Sequence, residues 1–177
     1  MLQGELIEQR VMVFEKSEDG NSLAESGYGK LVDDNLELSL VEAMYLVNKE
    51  KIEVKKDKKK MKKNDFLKYC EETEHNFHAR LVVYTDMRER GFVVKTGFKF
   101  GCDFRVYDRG VKIKKGPKQA HEHTKWVVHA IPEEFTCSFS ELSRAVRLAQ
   151  NIRTEMIWAI IDSEGDVTYY SIKRITP

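Results

Sequence analysis

Hydrophobic and polar positions change period several times along the chain, and each change predicts an element. Between residues 5 and 14, Leu6, Val11 and Val13 stand among charges, which reads as a strand or a hairpin. Asp19-Gly20-Asn21-Ser22 and Gly27-Tyr28-Gly29 are turn compositions. Ser39 followed by Glu42 is a capping box, and it opens a helix with Leu40, Ala43, Met44 and Val47 on one face. Ile52 and Val54 then alternate with Glu53 and Lys55 in a short strand. The lysine run from 55 to 63 reads either as a solvated, self-repelling mobile turn or as a phosphate-contacting patch. Phe66–Glu74 and Phe77–Arg90 have helical spacing, interrupted at His75 and Asn76.

Past Gly91, which closes the helical run, the pattern turns to strands. Val93–Thr96, Cys102–Tyr107 and Lys125–Ile131 are the candidates, with Phe104 and Val106 on one face and Asp103, Arg105 and Tyr107 on the other. Ser138 and Glu141 form a second capping box, for a helix whose inner face is Leu142, Ala145, Val146, Ala149 and Ile152. Met156–Ile161 is apolar throughout, as in a strand covered on both faces. A turn at 163–166 leads into a last strand, Val167–Ile175. The expected fold class is α/β (α+β) in two small mixed domains. Residues 1–80 form a mixed α/β N-terminal domain, and residues 81–177 a domain with a central mixed sheet flanked by helices.

Composition narrows the function classes. With 177 residues, 41% hydrophobic and 33% charged, the chain has enough apolar material for real cores and too much for a disordered protein. A net charge of +1 leaves any nucleic-acid surface to local segregation of charge. Cys70, Cys102 and Cys137 are odd in number and widely spaced, which predicts free thiols in a reducing compartment. No secretory leader pattern and no apolar run near ~18 residues is present, so the expectation is a cytoplasmic protein without a membrane partner.

Candidate chemistry centres on Tyr107, at a strand end between Arg105 and Asp108. Alone, a tyrosine at a strand end is usually a core or rim residue with a wet hydroxyl. Any of His121, His123 and His129 can donate a proton near neutrality. His121 and His123 could also hold a metal, but they lack a third ligand. His75 and His78 share a helix face without cysteine or carboxylate partners, as surface residues do.

Four segments carry a resemblance: LSLVEAMYLVNKEKIEV (38–54), KTGFKFGCDFRVYDRG (95–110), RAVRLAQNIRTEMIWAIID (144–162) and DVTYYSIKRI (166–175). Together they resemble the archaeal tRNA-intron (splicing) endonucleases of the one-unit, homotetrameric type. The resemblance implies a nuclease-like C-terminal domain that cuts precursor tRNA at bulge–helix–bulge intron junctions. The reaction it implies is attack by the 2′-hydroxyl, leaving 2′,3′-cyclic phosphate and 5′-hydroxyl ends, with no metal and no cofactor. Tyr107 falls at the position of the family's base and His123 at that of its acid. Arg147 and Arg174 match a pair of arginines that clamp a bulged base. The last strand matches a dimer surface, and Glu133 and Glu134 match an acidic loop that enters a basic cleft of an opposing pair. The family's lysine falls at Thr154, which carries no charge. Loss of a comparable electrostatic contact costs ~10²–10³ in rate. This departure leaves three accounts: a weakened natural enzyme, an altered sequence, or a non-catalytic RNA-binding subunit. Retention of Tyr107 and His123 disfavours the last.

Overall fold

The computed structural model describes residues 1–14, 18–97, 101–113 and 122–177. It divides the chain into two compact units, Met1–Leu81 and Val82–Pro177.

The first unit is a six-stranded sheet in the order β3-β4-β2-β1-β5-β6. β1 (Leu2–Ile7) and β2 (Arg10–Val13) form the expected hairpin, burying Val11 and Val13 completely. β3 (Lys30–Val32) and β4 (Asn35–Ser39) extend it on one side, while β5 (Ile52–Lys56) pairs parallel to β1. Two departures from the pattern reading stand out. Residues predicted as a turn around Gly20 lie in a helix, α1 (Glu18–Glu25), because Leu23 is buried and helix α1 lies against β4. Tertiary burial there outweighs a Gly-Asn-Ser composition that locally disfavours helix. The capping box Ser39–Glu42 opens α2 (Leu40–Asn48) as expected, but Leu40 through Leu46 are all buried, so this helix has no polar face along that stretch. Glu42 also accepts a hydrogen bond from the Gly29 amide at 2.9 Å, tying the turn to the helix start. Gly29 has φ +55°, and a Cβ there would sit 2.4 Å from the Glu37 carbonyl oxygen, so only glycine fits.

The lysine run is more ordered than its charge suggests. Asp57 and Lys58 both have positive φ, 51° and 64°, the requirement of a tight two-residue turn joining β5 to β6 (Lys59–Lys60). Lys60 pairs with Glu53, and the Lys56 ammonium lies 4.7 Å from the Tyr69 ring centre. Next, α3 (Lys63–Thr73) ends at Glu74, and Asn76 at φ 56° precedes α4 (Phe77–Glu89). Within this junction Arg80 and Glu74 form an ion pair whose side chains are only 2% and 9% exposed.

The second unit is a five-stranded sheet in the order β11-β10-β9-β8-β7. Its strands are β7 (Val93–Thr96), β8 (Phe104–Tyr107), β9 (Trp126–Pro132), β10 (Glu155–Ile161) and β11 (Val167–Ile172). Only β9 and β10 run parallel, joined through α5 (Phe139–Asn151), so the sheet is mixed as expected. The capping box Ser138–Glu141 starts α5, and Val146 and Ala149 are its buried residues. Ala149, with Ala145, Leu148 and Ile152 beside it, packs on Val127, Met156 and Cys102. On the other face the ring of Tyr84, from α4, tilts against Phe104 at 5.8 Å between centres. The last strand stops at Ile172 rather than Ile175, and Tyr170 and Ile175 stand exposed.

All three cysteines are free. Burial pushes the Cys70 thiol up to about 12 and the Cys102 thiol up to about 11, while Cys137 is exposed. Among the described residues no helix is long and apolar enough to cross a membrane, and no three His, Cys, Asp or Glu side chains gather as metal ligands. His121 lies outside the described residues.

Candidate active site

Strand register brings the separated candidates to one end of the second sheet. Val106 of β8 and Glu155 of β10 both pair with Trp126 of β9. One residue beyond these pairs come Tyr107, Lys125 and Thr154, whose backbones lie side by side, while the Lys125 side chain turns to Asp108 and the rings of Trp126 and Phe92. Two hydrogen bonds hold this row. The Lys125 amide donates to the Val106 carbonyl at 2.8 Å, and the Thr154 hydroxyl donates to the Lys125 carbonyl at 2.6 Å. The strand-entry turn has a local cause, since the amides of Arg153 and Thr154 return to the carbonyls of Gln150 and Ala149 at the end of α5. Arg153, exposed at φ 54°, makes the bend that lets β10 begin at Glu155.

Each candidate has a distinct environment. Tyr107 is 1% exposed and clusters with Val93 and Val111. His123 is exposed, two residues before Lys125 on the approach to β9. His129 lies four residues beyond Lys125, roughly 13 Å away at ~3.3 Å per residue, with its Nδ1 3.6 Å from Asp103. Of His123 and His129, only His123 stands at this end of the sheet. Thr154 is partly buried, and its hydroxyl is engaged by the backbone.

The same end of the sheet collects positive charge. Both carboxylate oxygens of Asp108 lie 3.0 Å from the Lys125 ammonium, and this hydrogen bond holds the carboxyl below the usual carboxylate range. That ammonium also lies 4.8 Å from the Trp126 ring centre and 5.7 Å from that of Phe92. The Arg109 guanidinium covers Phe92 at 5.1 Å, and its Nε donates to the Arg90 carbonyl at 2.8 Å. Gly91, at φ +90°, leaves room for the Arg109 stem, whose Cδ would lie 3.6 Å from a Cβ there.

On the opposite face, Met87, Arg90, Phe92, Trp126, Ile157 and Tyr169 line a cavity of about 200 Å³. The Tyr169 hydroxyl donates to Asp86 at 2.6 Å; burial first, and then this acceptor, raises the phenol well above its ordinary value. Burial works to raise the Asp86 carboxyl as well, but hydrogen bonds from Arg90 and Tyr169 outweigh it and leave the group lowered.

Arg147 is exposed on α5, and Arg174 is exposed two residues beyond β11. Glu133 and Glu134 are both exposed, and the Glu133 carboxylate accepts from the Ser163 amide at 2.8 Å, propping the turn between β10 and β11. Sequence reading did not single out Lys125, two residues after His123 and just before β9, whose ammonium the fold pairs with Asp108.

Two family models match the chain. Residues 77–169 match the tRNA intron endonuclease, catalytic C-terminal domain, and residues 2–67 match the N-terminal domain of the same family. Curated relatives agree. A tRNA-splicing endonuclease of Thermococcus gammatolerans is 42% identical over 148 residues, covering 84% of this chain and 83% of the relative. Proteins of that name from Methanothermobacter thermautotrophicus and Methanococcus maripaludis are each 36% identical, covering 86% and 94% of this chain and 85% and 90% of their own lengths. The chain belongs to the tRNA intron endonuclease family.

Proposed function

We propose that this chain cuts precursor tRNA at bulge–helix–bulge intron junctions, with the chemistry carried by residues 81–177 and residues 1–80 forming a separate domain. The supporting observation is the row in which β8, β9 and β10 bring Tyr107 to the end of the sheet that His123 approaches. RNA supplies its own nucleophile. The 2′-hydroxyl loses its proton to the Tyr107 phenolate and attacks phosphorus, and His123 protonates the departing 5′-oxygen. The products are a 2′,3′-cyclic phosphate and a 5′-hydroxyl, and no metal is required. A phenol is only about 0.1% ionised at neutral pH, so a neighbouring cation is needed to favour the phenolate.

Arg147 and Arg174 are assigned to a splayed-out base, whose π-face accepts a guanidinium whatever its identity. Alanine at either position is expected to weaken cleavage of a bulge–helix–bulge transcript without lowering the melting temperature. Unchanged cleavage and binding in both variants would remove the clamp.

A substrate with two cuts related by approximate two-fold symmetry calls for paired sites, and we assign a homotetramer. Exposed Tyr170 on β11 and exposed Glu133 and Glu134 supply its contacts, with Glu133 also bonded to the Ser163 amide. Light scattering on the protein alone should give four copies; a monomer would count against the assignment. The rival reading, a non-catalytic RNA-binding subunit, draws on Thr154, where a family cation is replaced by a hydroxyl held to the backbone.

A further inference from the structure

The stretch from 55 to 63 has no part in the chemistry, yet it carries most of the segregated charge. Seven lysines and one aspartate give it a net +6, leaving the other residues at −5 against a total of +1. Its backbone is fixed by the tight turn at Asp57 and Lys58, and the Met61 amide donates to the Val54 carbonyl at 2.9 Å.

Local physics disfavours lysine at these positions. Register sets Lys55 opposite Lys60 and Lys56 opposite Lys59, and like charges directly across an antiparallel pair destabilise it. Lys62 is the N-cap of α3 without a side-chain cap hydrogen bond, and Lys63 is the first residue of the helix. An N-cap favours Ser, Thr, Asp or Asn, and the helix dipole disfavours cations at this end. Compensation is partial. Lys60 pairs with Glu53, and Lys56 lies over Tyr69, whose hydroxyl donates to the Glu8 carbonyl at 2.8 Å. Among the described residues, no carboxylate pairs with Lys55, Lys58, Lys59, Lys62 or Lys63, and all but Lys55 are exposed. Lysines on β6 also keep a sheet edge from pairing with other chains. That need does not extend to Lys62 and Lys63, which lie beyond the strand.

We infer that the β5–β6 hairpin and the start of α3 form a phosphate-contacting surface for precursor tRNA in the first unit. The inference rests on the precursor-tRNA reading given above. A lysine is a point charge on a flexible stem, suited to phosphates rather than to base edges, so this surface adds affinity without reading sequence. An RNA backbone supplies a charge for each of the five unpaired ammoniums, and its released counterions drive the contact. An acidic protein loop such as Glu133-Glu134 offers only two.

The test is binding of a precursor tRNA with 2′-deoxy sugars at both junctions, titrated at several salt concentrations. Replacing Lys58, Lys59, Lys62 and Lys63 together with glutamine should weaken binding at least about tenfold near ~0.15 M salt, and flatten the slope of log affinity against log salt by about 2 or more. The melting temperature should hold or rise, because repulsion is relieved. Arginine at the same four positions should bind within about threefold of the natural chain, since the charge persists. Equal affinity and slope in the glutamine variant overturn the inference and leave the endonuclease reading standing. Weaker binding with an unchanged slope, or with a lowered melting temperature, also overturns it, since the lysines would then serve the fold. A changed number of copies by light scattering, with RNA binding intact, would assign the surface to a protein partner instead. A natural chain that neither binds nor cuts the RNA overturns both.

Discussion

Replacing His123 with alanine is expected to slow single-turnover cleavage about 10²–10⁴-fold, the usual contribution of a positioned general acid. His123 is exposed, so the melting temperature should stay within about 1–2 °C, as for other surface changes. Tyr107 needs a different substitution. Its ring is 1% exposed against Val93 and Val111, and alanine would open a cavity costing ~3–5 kcal/mol. Phenylalanine keeps the packing and removes only the hydroxyl. Tyr107→Phe should therefore slow cleavage by a similar ~10²–10⁴-fold, and the double variant should be little worse than either single one, because the two groups serve one transition state. If His129→Ala abolished cleavage while His123→Ala did not, the acid would be assigned to the wrong histidine.

The largest expected stability effect lies in the first unit. Glu74→Ala removes the carboxylate from a guanidinium that is 2% exposed, and breaking such a buried pair costs ~3–5 kcal/mol. Replacing both partners with apolar residues of similar volume should cost much less, since a buried pair's attraction is largely offset by its desolvation. Chemical denaturation of the single and double variants checks both statements. A Glu74→Ala chain within about 0.5 kcal/mol of the natural one would mean that water reaches the pair.

What could be read from the residues divides by range. Both capping boxes, at Ser39–Glu42 and Ser138–Glu141, were legible because each is complete within four residues. So was β7, whose apolar stretch follows a helix-closing glycine, and so was the break at Asn76. Features decided by distant packing were not legible. Nothing local tells that Leu23 will draw Gly20 and Asn21 into a helix, or that α2 will be covered on every side. The lysine run hid a hairpin because charge dominates its composition, whereas the turn depends on two backbone angles at Asp57 and Lys58. Tyr107, His123 and Thr154 were named through resemblance, and the pairing of β8 and β10 with β9 sets Tyr107 and Thr154 at the same end of the sheet. Lys125 illustrates the limit. Its place in the row follows only from aligning β8, β9 and β10, which are separated by long stretches of chain.

The central claim is that this fold presents an RNA phosphate to a phenol and an imidazole that break it with the RNA's own hydroxyl. The most direct measurement incubates the chain, in excess chelator, with a precursor tRNA transcript and with one carrying 2′-deoxy sugars at both junctions. The account predicts that the first is cut to 2′,3′-cyclic phosphate and 5′-hydroxyl ends and the second stays whole. Cutting that stops when divalent metal is removed, cutting of the deoxy transcript, or products with 5′-phosphate ends would contradict it.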